Sequence, residues 1–194
     1  MHNNTDLATR LLEVIENEIL PLTQSGVASG NKIFGAALLH KETLETVVAE
    51  TNNETENPLW HGEMHALKRF YEIPKHQRPS TKDLIFLSTH EPCSLCLSAI
   101  TWCGFDNFYY FFSYQDSRDS FAIPHDLKIL KEVFGREDYR TENEFWTSQA
   151  VYELIQSSTS PDDLLALASK IKNRYDELSS AYQSDKANND IPLN

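Results

Sequence analysis

The chain has 194 residues, 40% of them apolar and 11% aromatic, so it can bury one full core without disulfide staples. Seventeen lysines and arginines against 29 acids give a net charge of -12, which opposes phosphate backbones at long range and argues against a nucleic-acid partner. The odd count of three cysteines suits a reducing compartment, and no apolar run reaches the ~20 residues of a membrane span. A cytoplasmic protein with no membrane partner is expected.

Leu7, Leu11, Leu12, Ile15 and Ile19 recur at helical spacing behind Thr5, a residue able to cap, and Pro21 marks the expected end of this opening helix. An apolar run at 33–39 and a β-branched run at 46–50 flank a polar stretch and read as a hairpin. After the polar loop 52–58, residues 60–71 have helix-forming composition and are closed by Pro74 and Pro79. Residues 83–88 are a buried strand candidate. Pro92 opens a helix through Trp102 that exits at Gly104, and the aromatic run 108–114 reads as a strand buried on both faces. Strands alternating with helices predict an α/β layered fold. Ser160-Pro161-Asp162-Asp163 starts a last helix, whose stripe is Leu164, Ala168, Ile171, Tyr175 and Leu178, and the polar end beyond Ser184 is expected to fray.

Two segments hold the unusual chemistry: His61-Gly62-Glu63-Met64-His65 and Glu91-Pro92-Cys93-Ser94-Leu95-Cys96. Two cysteines three apart at a helix start present both sulfurs on one face, and the positive helix end favours the thiolate. That is zinc-ligand spacing, although a lone CxxC also suits a redox dithiol. His61 completes a Cys2His set with a fourth tetrahedral position left for water, the pattern of a catalytic zinc. Residues two apart on a helix face different ways, so His61 and Glu63 converge only if His61 stands at the helix entrance in non-helical backbone. A rival closed site would use His61, His65, Cys93 and Cys96, since histidines four apart share a helix face. A zincin is excluded, because Gly62 separates the first histidine from Glu63.

His61-Gly62-Glu63 with Pro92-Cys93-Ser94-Leu95-Cys96 resembles the signature of the cytidine deaminase-like superfamily, H-x-E then P-C-x-x-C, in which the glutamate lies outside the metal shell. Phe34-Gly35-Ala36 is similar to the family's first strand, Asn53 to its asparagine after the second, and Ala99-Ile100 to the continuation of its zinc helix. The resemblance implies a three-layer α/β/α sandwich with a central mixed five-stranded sheet. It implies one Zn2+ per chain on His61, Cys93 and Cys96, with Glu63 carrying protons. The implied reaction is hydrolytic deamination of a nucleobase or nucleoside of guanine or cytosine type, and the common assembly is a homodimer. The expected organisation is a deaminase domain over 1–140, a helical extension packed on it over 141–184, and a flexible tail at 185–194.

Trp102 and Asp116 match a tryptophan after the second cysteine and an acidic residue after the following strand in bacterial guanine deaminases. The resemblance thus makes Asp116 the candidate second catalytic acid, with Asp119 as the fallback. Phe34, Asn53, Trp60, Thr89 and Trp102 are the expected substrate contacts. Members that edit tRNA adenosine share the signature, and the one notable basic cluster here is Lys75, His76, Arg78 and Lys82. His90 and His125 stand alone and read as loop or capping histidines.

Overall fold

The computed structural model describes residues 2–193; Met1 and Asn194 lie outside the described residues. The opening helix, α1 (Asn4–Val14), is capped by Asn3 rather than Thr5: its side-chain oxygen accepts the Asp6 N–H at 2.8 Å. Nor does the helix end at Pro21. The chain passes through a wide π-turn at Ile15–Ile19 and continues as α2 (Leu20–Ala28). A proline has no N–H for the carbonyl one turn back, so it is tolerated only where that donor is not needed. The π-turn meets this condition by placing Pro21 in the first turn of α2, while the Leu20 N–H reaches five residues back to the Ile15 carbonyl.

Strands β1 (Gly35–His40) and β2 (Thr46–Thr51) form the expected antiparallel hairpin. Helix α3 (Gly62–Glu72) leads by way of the 74–83 loop to β3 (Leu84–His90), then α4 (Ser94–Trp102) and β4 (Asn107–Phe112). Helix α4 stops where foreseen, with Gly104 taking the left-handed φ of +77° that side chains disfavour. Beyond β4 come α5 (Tyr114–Asp119), α6 (His125–Phe134), β5 (Thr147–Ala150), α7 (Val151–Gln156) and α8 (Pro161–Asp185).

The sheet has the order β2-β1-β3-β4-β5, with β1 antiparallel to both neighbours and β3, β4 and β5 parallel. Alternate strand residues feed two separate cores, as a period of two requires. Ala37, Leu39, Ile85 and Leu87 face α1, α2, α7 and α8 through Leu12, Ile15 and Tyr175. Ala36, Leu38, Leu84 and Phe86 face α3 and α4 through Ala66, Phe70 and Ile100. The result is the three-layer α/β/α sandwich. Helix α8 buries the foreseen stripe of Leu164, Ala168, Ile171 and Tyr175.

Two boundaries differ from expectation. The fifth strand, Thr147-Ser148-Gln149-Ala150, lies inside the segment read as a helical extension, so a cut at residue 140 would leave the sheet incomplete. The tail read as flexible is docked at Asn189 and Ile191: Asn189 Nδ2 donates to the Gly30 carbonyl at 2.9 Å, and the Ile191 side chain is buried. No helix of the described residues is long and apolar enough to cross a membrane.

Candidate active site

Because β1 runs against β3, the start of β1 and the end of β3 share one sheet edge, and α3 and α4 both begin there. His61 is the residue before α3, in extended backbone (φ -59°, ψ 159°), while Glu63 sits inside the first turn. That break in periodicity lets two residues only two apart face one centre. Cys93 likewise precedes α4 in extended backbone (φ -65°, ψ 170°), with Cys96 in the first turn.

His61 Nδ1 lies 3.5 Å from Cys93 Sγ and 3.7 Å from Cys96 Sγ, and the two sulfurs are 3.6 Å apart. A tetrahedral zinc about 2.3 Å from sulfur and about 2.0 Å from nitrogen spaces its ligand atoms roughly 3.5–3.8 Å apart. One imidazole and two thiols at these separations fit zinc, and they form one potential metal group among the described residues. The hydrogen bond from Cys96, with His61 adding to it, holds the Cys93 thiol well below its usual range. Burial alone would lower the His61 pKa, but the Cys93 hydrogen bond and charge outweigh it and lift the value to about 9. The Cys93 thiolate that a metal requires is therefore already favoured, while burial holds the Cys96 thiol up.

Glu63 is 4% exposed, and Ser88 Oγ donates to its Oε1 at 2.7 Å while Oε2 lies 3.3 Å from Cys96 Sγ. Burial first, then the Cys93 charge, raises the Glu63 pKa. Gly62 between the two motif residues has a packing cause: a Cβ there would stand 2.6 Å from Gly35 Cα and 2.8 Å from Gly35 N. Asn52 accepts the Gly62 N–H and donates to Glu54 Oε2 at 2.7 Å. Glu54 in turn pairs with Lys32 at 2.8 Å, both buried, and its Oε1 is 3.8 Å from His61 Nε2. His65 faces the other way, with Nδ1 2.9 Å from the Thr51 carbonyl and 3.2 Å from Glu50. The closed four-ligand site is thus not assembled.

Above the three donors lies a cavity of about 260 Å3, walled by Phe34, Ile123, Asp126, Ile129 and the docked segment 191–193. Beside it an inner pocket of about 10 Å3 is lined by Phe34, His61, Glu63, His90, Glu91 and Asp126. It has room for a single water-sized group.

The sequence model of the cytidine and deoxycytidylate deaminase zinc-binding region matches residues 13–112. The chain belongs to this deaminase family. Similar solved structures include a guanine deaminase from Nitrosomonas europaea, at 19% identity and a TM-score of 0.53 over 83% of this chain and 84% of that one. Another is the guanine deaminase from Bacillus subtilis, at 24% identity and a TM-score of 0.52 over 71% of this chain and 83% of that one. At such identities these show a shared fold. A search of curated proteins gives no significant match.

Of the substrate contacts expected for a deaminase of this family, Phe34 lines both cavities and the others stand elsewhere. Asn53 points out to Glu56 and borders a separate surface depression, because side chains alternate at the exit of β2 and it is Asn52 that turns inward. Trp60 lies outside the cavity, whose rim uses Pro58 and Leu59 instead. Thr89 Oγ1 accepts the Gly35 N–H at 2.9 Å and donates to the Gly35 carbonyl at 3.1 Å, tying β3 to β1. Trp102 is 90% exposed at the far end of α4, beside a shallow groove with Phe134 and Trp146.

Asp116 is likewise engaged elsewhere. It caps α5, accepting the Ser113 N–H at 2.9 Å and the Ser113 hydroxyl at 2.8 Å, and Asp119 pairs with Arg118 on the surface. The acid that reaches the cavity is Asp126, in the first turn of α6, where burial lifts its carboxyl to about 8. Glu91 braces the inner pocket, accepting the Tyr114 N–H at 2.9 Å and the Tyr139 hydroxyl at 2.7 Å.

Proposed function

We propose that this protein hydrolyses the amino group from a free nucleobase, guanine foremost, releasing ammonia, with one zinc ion held by His61, Cys93 and Cys96. Glu63 is the observation that carries the reading: a buried carboxylate, oriented by Ser88, beside three zinc-competent donors at the floor of a small cavity. When bound, zinc acidifies a water molecule toward neutrality. Glu63 accepts the proton that water gives up as its oxygen bonds to the amine-bearing carbon, and delivers it to the adjacent ring nitrogen. It then relays the remaining proton of the newly attached hydroxyl to the amine, so that the oxygen becomes a carbonyl as the C–N bond breaks and ammonia leaves. Burial raises the Glu63 pKa, which favours a carboxyl that takes up a proton and returns it.

Phe34, Ile123, Ile129 and Ile191 supply apolar walls for a flat ring, and Asp126 faces it from α6 as the second carboxyl. A cavity of 260 Å3, at the low end of small-molecule sites, supports a free base over a larger substrate. Of the basic cluster, Lys75, His76 and Arg78 lie past the far end of α3, itself roughly 16 Å from His61 by helix rise, and Lys82 lies just before β3. The cluster does not support tRNA as the substrate. The guanine deaminases that share the fold make guanine the first base to try. Incubating zinc-loaded protein with guanine, cytosine, adenine, their nucleosides and tRNA, and measuring ammonia, tests the proposal. Ammonia from guanine above the rest is expected; none from any free base overturns it.

A further inference from the structure

We propose that His90 selects the base: its Nε2 is a bare acceptor that takes a hydrogen bond from a ring N–H beside the carbon being deaminated. The proposal rests on the reading of the site as a base deaminase and sharpens which base it takes.

His90 ends β3 and is 2% exposed, its ring enclosed by Phe34, Phe112, Phe121 and Tyr175 at centroid distances of 4.6 to 5.6 Å. Its Nδ1 lies 3.0 Å from Thr89 Oγ1. A hydroxyl has one hydrogen to give and two lone pairs. We assign the Thr89 hydrogen to the Gly35 carbonyl; with one lone pair taking the Gly35 N–H, the remaining lone pair faces His90 Nδ1, which then supplies the hydrogen. That places the ring proton on Nδ1. The ring is neutral, because burial pushes the His90 pKa well below its ordinary value. Nε2 is then an acceptor, and it has no hydrogen-bond partner although fully buried.

A buried acceptor left unpaired is costly, so it calls for a group that completes the bond. His90 lines the inner pocket together with His61, Glu63 and Cys93, and this pocket shares Phe34, His61, Cys93 and Asp126 with the larger cavity, so the N–H edge of a ring seated there is the water-sized group that enters it. Of the polar residues lining the pocket, Glu63 and Glu91 are already hydrogen-bonded, and neither His61 nor Asp126 bonds to His90 Nε2. The free bases differ at this point. Each offers Glu63 a bare ring nitrogen next to the amine-bearing carbon. In guanine the other neighbour of that carbon is an N–H, whereas in cytosine and adenine it is a ring carbon. Only guanine can satisfy both Glu63 and His90 at once.

The test compares the zinc-loaded parent with H90L, which keeps the aromatic cage filled but removes the acceptor. H90L is expected to retain zinc and to stay folded, since the Nδ1–Thr89 hydrogen bond it loses is offset by removal of an unpaired polar atom. Its kcat/KM for guanine is expected to fall at least tenfold. A core histidine serving only stability would show the reverse, a lower Tm with unchanged kinetics once folded. Nitrogen-15 NMR of the unmodified protein labelled at histidine is the second measurement and needs no variant to fold. The His90 Nε2 resonance should lie in the unprotonated range and move upfield when guanine binds. Guanine kinetics within twofold of the parent in folded H90L, an already protonated Nε2, or a resonance unmoved at saturating guanine each overturn the proposal. If guanine binds and shifts Nε2 without releasing ammonia, the deaminase reading falls and the His90 contact stands. If guanine is turned over with Nε2 unmoved, the His90 contact alone falls.

Discussion

The floor and the wall of the cavity are built in opposite ways. The floor, with His61, Glu63, Cys93 and Cys96, comes from two helix starts, each supplying two groups within a few residues. The wall gathers Lys32, Ile123, Asp126 and Ile191 from stretches far apart in the chain, and holds only because α6 and the C-terminal segment dock on the body. Backbone geometry at a helix entrance fixes the floor locally. The wall depends on tertiary packing, so it can change with the substrate while the chemistry beneath is kept.

The largest effect should come from the floor. E63Q keeps the size of the side chain and removes its base, so kcat on the accepted base should drop about 10²- to 10⁴-fold with zinc content unchanged by elemental analysis. Zinc lost along with activity would place Glu63 in the metal shell and erase the division of labour within the floor. Next is G62A. The atoms a Cβ would meet at 2.6 and 2.8 Å are Gly35 backbone, which cannot rotate aside, so denaturant unfolding should show a loss of about 1–3 kcal/mol. An unchanged midpoint would mean that the start of α3 can slide away from β1.

The same contrast governs what the sequence discloses. His61, Glu63, Cys93 and Cys96 are legible because the spacing of a short motif and the geometry of a helix start are the same fact stated twice. Four of the five strands announce themselves as apolar, β-branched or aromatic runs. Thr147-Ser148-Gln149-Ala150 does not, since a four-residue edge strand needs only the backbone hydrogen bonds of β4 and buries little of its own. Asp126 carries no signal beyond that of a first-turn acid facing a helix dipole, and only the docking of α6 brings it to the cavity. Asp116 did carry one: Ser113-x-x-Asp116 is a capping-box pattern, and the structure uses it as such.

A smaller effect should follow from the wall. Ile191 is buried against the cavity, and Ile191→Asp puts a charge where the ring would rest. KM for the base should rise about tenfold, the cost of one poorly packed apolar contact of roughly 1.4 kcal/mol, while kcat changes less than threefold. Steady-state kinetics separate the two. A collapse of kcat with KM unchanged would show that the tail shapes the floor, and the two regions could no longer be treated apart.

The smallest effect is expected at Trp102, a residue that the family likeness puts in the pocket and the structure puts outside it. It follows Cys96 by six positions on α4, which on a 3.6-residue period points it away from the face carrying Cys96 and Ile100. Its indole is 90% exposed, so Trp102→Ala removes no wall of the cavity and leaves no void in either core. Both kcat and KM on the base should stay within twofold of the parent, and the Tm should hardly move. A rise in KM of tenfold or more would bring the shallow groove between α4 and α6 into the substrate path, joined to the cavity through Ser94, which borders both. The wall would then extend along α4, and the substrate would have to be longer than a free base.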